Sequence, residues 1–126
     1  MLLLSADPKA AIVRERLAAH RAHGELVISA VNWCEALSTA QRKAGTWATV
    51  RSAAVLRRVP ISVVDADAVM AAHAAEMKTR YRLGLGDCFA AGLALALRAP
   101  LLTGDADFLP LAEHGLKIDW VGSEGR

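Results

Sequence analysis

Cysteine and long apolar runs are both scarce in this chain, and each absence removes a class of protein. With 2 cysteines in 126 residues, a disulfide framework is excluded. Both of them, Cys34 and Cys88, lie in alanine-rich helical patterns, where we expect reduced and buried thiols. No apolar run approaches the roughly 20 residues that span a bilayer. We therefore expect a soluble protein without membrane contact and, since no secretory signal pattern opens the chain, a cytoplasmic location.

A strong excess of charge of one sign is also missing. The 15 Lys and Arg residues against 13 Asp and Glu residues leave a net charge of +2. That balance permits an anionic partner such as nucleic acid but does not require one. Hydrophobic residues make up 54% of the chain, which is enough for a core. We expect residues 1–126 to form a single domain.

Extended and helical patterns alternate along the chain. They predict strands at residues 25–31, 61–64, 100–103 and 117–121, and helices at residues 8–20, 32–44, 47–54, 67–81 and 86–98. The strands are apolar rather than alternating, which is typical of a parallel sheet covered by helices on both faces. The sequence therefore predicts an α/β fold.

Acidic residues stand at or near three of the predicted strand exits. Glu35 lies in the first turns of the helix after the first strand, Asp87 opens the apolar helix, and Asp105 follows "PLLT". In an α/β fold the functional crevice lies beyond the carboxyl ends of the strands. Three carboxylates converging there would repel one another unless a cation neutralised them, and such hard ligands suit Mg²⁺ or Mn²⁺. For Asp87 a structural explanation stays open, because an acid at a helix start can cap it.

The order of these motifs resembles a known family. "VISAVNWCEAL" followed by "RLGLGDCFAAGLALALRAPLLTGDADF" is similar to the PIN-domain ribonucleases, and among them to the VapC toxins of bacterial toxin–antitoxin pairs. The matching motifs are Asn-x-x-Glu at a helix start, Gly-Asp opening an alanine–leucine helix, and Thr-x-Asp after an apolar strand. The resemblance covers nearly the whole chain and implies a PIN-like three-layer sandwich with a central parallel sheet between helices.

The resemblance also implies a set of site residues and partners. The catalytic and metal-binding acids would be Glu35, Asp87 and Asp105, with Asp107 as an auxiliary ligand of Mg²⁺ or Mn²⁺, and the supporting residues would be Ser29, Asn32 and Thr103. A water activated by the metal would hydrolyse phosphodiester bonds in RNA. Arg80 and Arg82, just before the loop that leads to Asp87, would bind the substrate phosphate. A homodimer and a cognate antitoxin are the implied partners.

The beginning of the chain departs from the family pattern. PIN proteins normally begin with an apolar strand that ends in Asp, whereas "MLLLSADPKAAIVRERL" fits best onto the end of the next helix and the start of the one after it. That register leaves out the first strand and its Asp. A second register lays "MLLLSAD" on the strand, with Ser5 where Asp is expected and Asp7 where Ser is expected. The alternative function is therefore a catalytically weak or inactive PIN-like module that binds antitoxin.

One further motif indicates a different enzyme class. "ISVVDADAVM" (61–70) fits the signature of haloacid-dehalogenase-like phosphatases, with Asp65 as nucleophile and Asp67 as acid/base. The chain after Asp65 is short for that fold and has no suitably placed phosphate-binding Lys. We therefore expect Asp65 and Asp67 to form the N-cap and first turn of the helix that follows.

Overall fold

The structure is a computed structural model that describes residues 26–44 and 61–121. In chain order its elements are β1 (Leu26–Ser29), α1 (Ala30–Ala44), β2 (Ile61–Val64), α2 (Ala68–Arg80), α3 (Leu85–Leu97), β3 (Leu101–Thr103), a 3₁₀-helix (Ala106–His114) and β4 (Ile118–Trp120). The chain divides into two compact units, one before and one after the Val64–Asp65 junction. The predicted helices at 8–20 and 47–54, and both registers of the amino-terminal segment, lie outside the described residues.

In the first unit, β1 and β2 form a parallel pair, and α1 lies between them in the order of the chain. The register places Leu26 beside Ile61 and Ser29 beside Val64. The predicted first strand is too long at its end, because Ala30 and Val31 already belong to α1. Serine at position 29 explains the early turn, since its hydroxyl accepts a hydrogen bond from a backbone N–H of the first helical turn.

The two cysteines have different environments, which corrects one prediction. Cys88 is fully buried in α3, as expected, whereas Cys34 on α1 is exposed. Both stand in alanine-rich helices, so composition alone did not separate them. Burial of a helical side chain depends on the face it occupies, and Cys34 lies on an outward face.

In the second unit, α2 and α3 form a helical hairpin whose bounds confirm the predicted helices to within a residue or two. The side chain of Asp67 caps α2, with its Oδ1 accepting the Met70 N–H at 2.9 Å. The N-cap is therefore Asp67, whereas the prediction gave Asp65 that position and placed Asp67 in the first turn. Asp65 lies two residues before the cap and outside the helix. The cap gives Asp67 a structural role.

The hairpin is held together by small and flexible apolar side chains. Met70, Ala74 and Met77 are buried along one face of α2. A Cβ at Gly92 would lie 3.1 Å from the backbone nitrogen of Ala74, so the absence of a side chain permits this close approach of the helices. The middle turns of α3 are buried, whereas its terminal leucines are 60% and 50% exposed.

The remainder of the second unit is a β3–3₁₀–β4 segment. β3 and β4 pair in parallel, Leu101 beside Ile118 and Thr103 beside Trp120. The intervening 3₁₀-helix was not predicted, and it buries Phe108 and Leu111. Both strand pairs of the described residues are thus parallel, in agreement with the predicted α/β class. No helix in residues 26–44 or 61–121 is long and apolar enough to cross a membrane.

Candidate functional site

The first group of predicted site residues lies at the β1–α1 junction. Ser29 and Asn32 are 2% and 4% exposed, so both polar side chains are buried. The Ser29 hydroxyl donates to the Asn32 side-chain oxygen and accepts the Asn32 backbone N–H at 3.0 Å. A serine before a helix commonly satisfies a free backbone N–H in this way. The pair therefore has a structural role, and it sets the direction in which α1 leaves the strand.

Glu35 follows Asn32 by three residues on α1, so the two lie on neighbouring positions of one helix side. Its side chain is exposed, in contrast to the buried Ser29–Asn32 pair. Glu35 needs no role in the packing of α1 and is accessible to a ligand.

The second group lies at the exit of β3. Thr103, the last residue of the strand, is 2% exposed, and its Oγ1 accepts the Asp105 backbone N–H at 3.1 Å. Asp105 is half-buried and its Oδ1 accepts the Asp107 backbone N–H at 2.9 Å. The buried threonine thus fixes the backbone of Asp105, and Asp105 in turn begins the 3₁₀-helix.

The two acids of this segment have different structural roles. The cap of the 3₁₀-helix is Asp105, and Asp107 lies exposed in the first turn. Asp107 therefore carries an accessible carboxylate in the first turn of the helix. Asp105 combines a capping bond with a carboxylate that is still partly exposed to solvent.

Asp87 is the third residue of α3 and is half-buried. The residue at the N-cap is Gly84, which provides no side-chain bond, so Asp87 is not the cap residue. A carboxylate in the first helical turn is still stabilised by the helix dipole. Burial raises the pKa of the adjacent Cys88 thiol above the usual 9.0; the Lys78 ammonium opposes this rise and the Asp87 carboxylate adds to it.

Lys78, in the last turn of α2, is a further charged residue that acts on the Cys88 thiol. Its Nζ donates to the backbone oxygen of Leu83 at 3.1 Å, in the short loop that leads into α3. A lysine near the end of a helix resembles any solvated surface charge, so the sequence carries no signal for this contact. In the structure the ammonium group crosses from α2 to the loop and supports the start of α3.

The two arginines predicted to bind phosphate lie in different settings. Arg80 ends α2 and forms an exposed ion pair with Glu76, 3.6 Å between Nη2 and Oε1. Such exposed pairs are weak, so the guanidinium can exchange partners. Arg82 is exposed in the loop between α2 and α3. Both guanidinium groups are therefore accessible to a ligand.

The donor chemistry of the acids suits a hard divalent cation, since carboxylate oxygens are the usual ligands of Mg²⁺ and Mn²⁺. However, within residues 26–44 and 61–121 no group of three or more His, Cys, Asp and Glu side chains could hold a metal ion. The described residues alone therefore do not complete a metal site of the predicted kind.

Comparison with protein families identifies the chain. Residues 1–113 match the PIN domain, which is most of the 126 residues. The chain belongs to the PIN-domain family. The matched segment includes Glu35, Asp87, Asp105 and Asp107, so the predicted acids all fall inside the PIN domain.

Solved structures support the same fold. This PIN-domain chain is similar to a chain of VapBC2 from Rickettsia felis bound to a DNA fragment from its promoter, with a TM-score of 0.69 and 18% identity over 84% of this chain and 82% of that chain. It is also similar to a chain of VapBC-1 from nontypeable Haemophilus influenzae, with a TM-score of 0.63 and 20% identity over 88% and 89%. At these identities the likeness shows the fold, and the predicted PIN-like α/β fold is confirmed.

No curated protein matches the sequence of this PIN-domain chain. The structure gives the motif of the phosphatase alternative a different role. The "DADAV" motif that indicated it contains the N-cap of α2, and Asp67 Oδ1 already accepts a backbone N–H there. No other observation supports the phosphatase alternative.

Proposed function

We propose that this PIN-domain protein is a VapC-like toxin, a metal-dependent endoribonuclease that hydrolyses phosphodiester bonds in RNA. The observation that carries the proposal is the match of residues 1–113 to the PIN domain, a family whose members are generally nucleases. Solved VapBC chains with the same fold support the toxin assignment. The reaction needs an accessible acidic site and a way to hold a polyanion, and the described residues offer parts of both.

The proposed catalytic acids are Glu35, Asp87 and Asp105. Asp105 is supported best, because Thr103 fixes its backbone at the exit of a buried parallel strand. Asp87 lies in the first turn of α3, and Glu35 is exposed on α1. Asp107 is proposed as an auxiliary acid, and Ser29, Asn32 and Thr103 as residues that support the backbone near the acids.

The proposed cofactor is Mg²⁺ or Mn²⁺, bound by carboxylates from this set. Such an ion supplies a water of lowered pKa and neutralises charge on the phosphate. The chain itself would supply the binding of substrate. Arg82 is exposed near the start of α3, and Arg80 can leave its exposed ion pair, so both are available to backbone phosphates of RNA.

The proposed partners are a cognate antitoxin and a second copy of the chain, in the cytoplasm. The two similar solved structures are of VapBC proteins, one of them bound to promoter DNA. Their fold supports an antitoxin partner for this chain. The homodimer and the cytoplasmic location stay predictions.

A catalytically weak or inactive PIN-like module that binds antitoxin is the second candidate. One observation favours it: no group of three His, Cys, Asp or Glu side chains within the described residues could hold a metal ion. The two candidates agree on the fold and on the antitoxin, and they differ in metal binding and RNA cleavage.

The decisive experiment measures cleavage of structured RNA by the purified full chain with Mn²⁺, in parallel with calorimetric titration of Mn²⁺ alone. We expect cleavage that falls on the order of 100-fold in Asp87→Asn, because the carboxylate charge is lost with almost no change of shape. Asp67→Asn is the matched control, since an asparagine oxygen can still cap α2. It should cleave at the unaltered rate.

Three results would each contradict a different part of the proposal. If neither cleavage nor Mn²⁺ binding is detected in the unaltered chain, the inactive module is the better description. If cleavage is present but equal in Asp87→Asn, the assignment of Asp87 is wrong. Hydrolysis of a small phosphomonoester that disappears in Asp65→Asn would restore the phosphatase alternative.

A further inference from the structure

The second unit contains an open cavity of about 270 Å³ at the end of α3 opposite to Asp87. Asp87 and Arg98 are separated by about 16 Å along the helix axis, at 1.5 Å per residue. The cavity is therefore distinct from the proposed catalytic acids, and a role for it does not depend on the nuclease proposal.

Two helix ends of the same type converge on this cavity. At the end of α3, Ala99 N–H donates to Ala94 O at 3.0 Å, and at the end of the 3₁₀-helix, Leu116 N–H donates to Leu111 O at 3.2 Å. Each bond spans five residues and closes a Schellman motif. In such a motif the residue after the last helical turn adopts the left-handed conformation, and glycine is the usual residue there.

The two motifs differ in that left-handed residue. Gly115 occupies it after the 3₁₀-helix with φ +96°, whereas Arg98 occupies it after α3 with φ +53°. Both residues line the cavity. An arginine in this conformation is sterically less favourable than glycine. Residues in rare backbone conformations often serve ligand sites, which directs attention to the guanidinium group.

A second cation, Lys117, lines the same cavity. Its backbone oxygen accepts the Leu101 N–H at 2.8 Å, which anchors the residue beside the start of β3. None of the lining residues carries a carboxylate, and within residues 26–44 and 61–121 neither cationic side chain pairs with one. Two like charges on one rim are compatible with an anion between them.

The rest of the lining is small and apolar: Ala94, Leu95, Ala99 and Leu116. An apolar lining with a few fixed polar groups is the usual composition of a site for a small organic ligand. A volume of about 270 Å³ lies just under the range of pockets for drug-sized molecules. The ligand should therefore be small, with an anionic end and an apolar or aromatic body.

We propose that this cavity binds a nucleotide, with its phosphate group held by Arg98 and Lys117 and its base or sugar lying on the apolar side chains. The phosphate suits Arg98 because a guanidinium can donate two parallel hydrogen bonds to it. The nucleotide can be a free mononucleotide or a residue of an RNA chain, and the two sources share this chemistry.

The test is a titration of the full chain, followed by NMR amide shifts and by calorimetry, with adenosine 5′-monophosphate as the probe. We expect shifts at residues 94–99 and 115–117. Arg98→Gly should weaken binding by about tenfold or more, the factor for a lost hydrogen bond to a charged group. This variant should fold well, because glycine is the preferred residue at its left-handed position. Lys117→Met should weaken binding to a similar extent.

The matched control is Arg42→Gln, which removes one positive charge from an exposed side chain of α1. It should bind the mononucleotide as the unaltered chain does. Equal weakening in the control would show that net charge, rather than the cavity, attracts the probe. Shifts that miss both segments, or no binding of the mononucleotide at millimolar concentration, would overturn the proposal.

Two further probes distinguish the source and the chemistry. If a short RNA without terminal phosphates shifts the same amides, the ligand is a residue of an RNA chain. If this RNA does not bind and the mononucleotide does, the ligand is a free nucleotide. Adenosine without phosphate should bind much more weakly, and equal binding would contradict the role of the cations. RNA cleavage tests the nuclease proposal, and amide shifts at residues 94–99 and 115–117 test this one, so the failure of either proposal is distinguishable from the failure of the other.

Discussion

The β1–α1 and β3–3₁₀ junctions both place a buried hydroxyl at the end of a parallel strand, but they connect it to the acid in different ways. At the first junction Ser29 itself caps the helix, and Glu35 lies further along, exposed and without a capping bond. At the second, Thr103 supports the backbone of Asp105, and the Asp105 carboxylate is the cap. Structural and proposed catalytic roles are therefore separate at one junction and combined in one side chain at the other.

Ser29→Ala should show the largest effect on stability. It removes a hydroxyl that accepts the Asn32 N–H and donates to the Asn32 side chain, and both groups are buried. We expect the free energy of unfolding to fall by about 2 kcal/mol, as for a lost cap with buried partners. Urea denaturation followed by circular dichroism measures the change.

The control for this variant is Ser38→Ala on the same helix. Ser38 accepts a hydrogen bond from Arg42 at the surface, so its removal should change stability by less than about 0.5 kcal/mol. Equal losses in the two serine variants would mean that the cap at Ser29 contributes nothing special.

At the second junction, two variants of Asp105 should separate its two roles. Asp105→Asn keeps an oxygen that can accept the Asp107 N–H, whereas Asp105→Ala removes the acceptor. We expect the free energy of unfolding of Asp105→Ala to be about 1 kcal/mol lower than that of Asp105→Asn, because this is the typical contribution of a helix cap. Both variants should lose RNA cleavage to the same extent, because each lacks the charge.

Denaturation curves and the RNA assay together check this pair. If Asn and Ala are equally stable, the capping bond is unimportant and the two junctions do not differ in the stated way. If Asn retains full cleavage, the carboxylate charge of Asp105 has no catalytic role.

Glu35→Gln should have the smallest effect on stability of these variants. The side chain is exposed and makes no capping bond, so the free energy of unfolding should change by less than about 0.5 kcal/mol. Under the proposed function, RNA cleavage should nevertheless fall, because a carboxylate is lost. A stability loss as large as that of Ser29→Ala would show that Glu35 shares in the support of α1.

Solvent access beside the acids of the two units can be compared without mutation. Cys34 precedes Glu35 and is exposed, whereas Cys88 follows Asp87, is fully buried, and has a pKa raised by that burial. We expect one thiol to react with iodoacetamide at pH 8 in the folded chain, and mass spectrometry of peptides should place the label on Cys34. Labelling of Cys88 at a comparable rate would indicate that α3 opens readily.

The raised pKa of Cys88 also has a consequence for stability. Because its pKa is higher in the folded chain than in the unfolded one, the folded chain holds the proton more tightly. The contribution of the protonated Cys88 thiol to the free energy of unfolding is complete below pH 9.0, the ordinary thiol pKa. It is lost as the pH rises through the pKa of the folded state. A Cys88→Ala variant should lack this alkaline decline in a series of urea denaturations.

Several features of the chain followed from local sequence. The helix at 68–80 and a capping acid just before it were predictable, because capping depends on residues only three positions apart. The strand at 61–64 was also predictable from the sequence. The Thr-x-Asp motif at Thr103 and Asp105, together with the other motifs, indicated the PIN-domain family. These are short-range patterns, and a sequence records them directly.

Other features depended on packing between distant segments. The outward position of Cys34 and the inward one of Cys88 are set by which face of each helix is covered, and alanine-rich sequences do not mark that face. Composition likewise gave no sign that Asp105 rather than Asp107 caps the 3₁₀-helix, since both are aspartates and the choice depends on the backbone after β3. The meeting of Arg98 and Lys117 at one cavity belongs to the same class, because the folding of α3, β3 and the 3₁₀-helix brings together residues far apart in the chain.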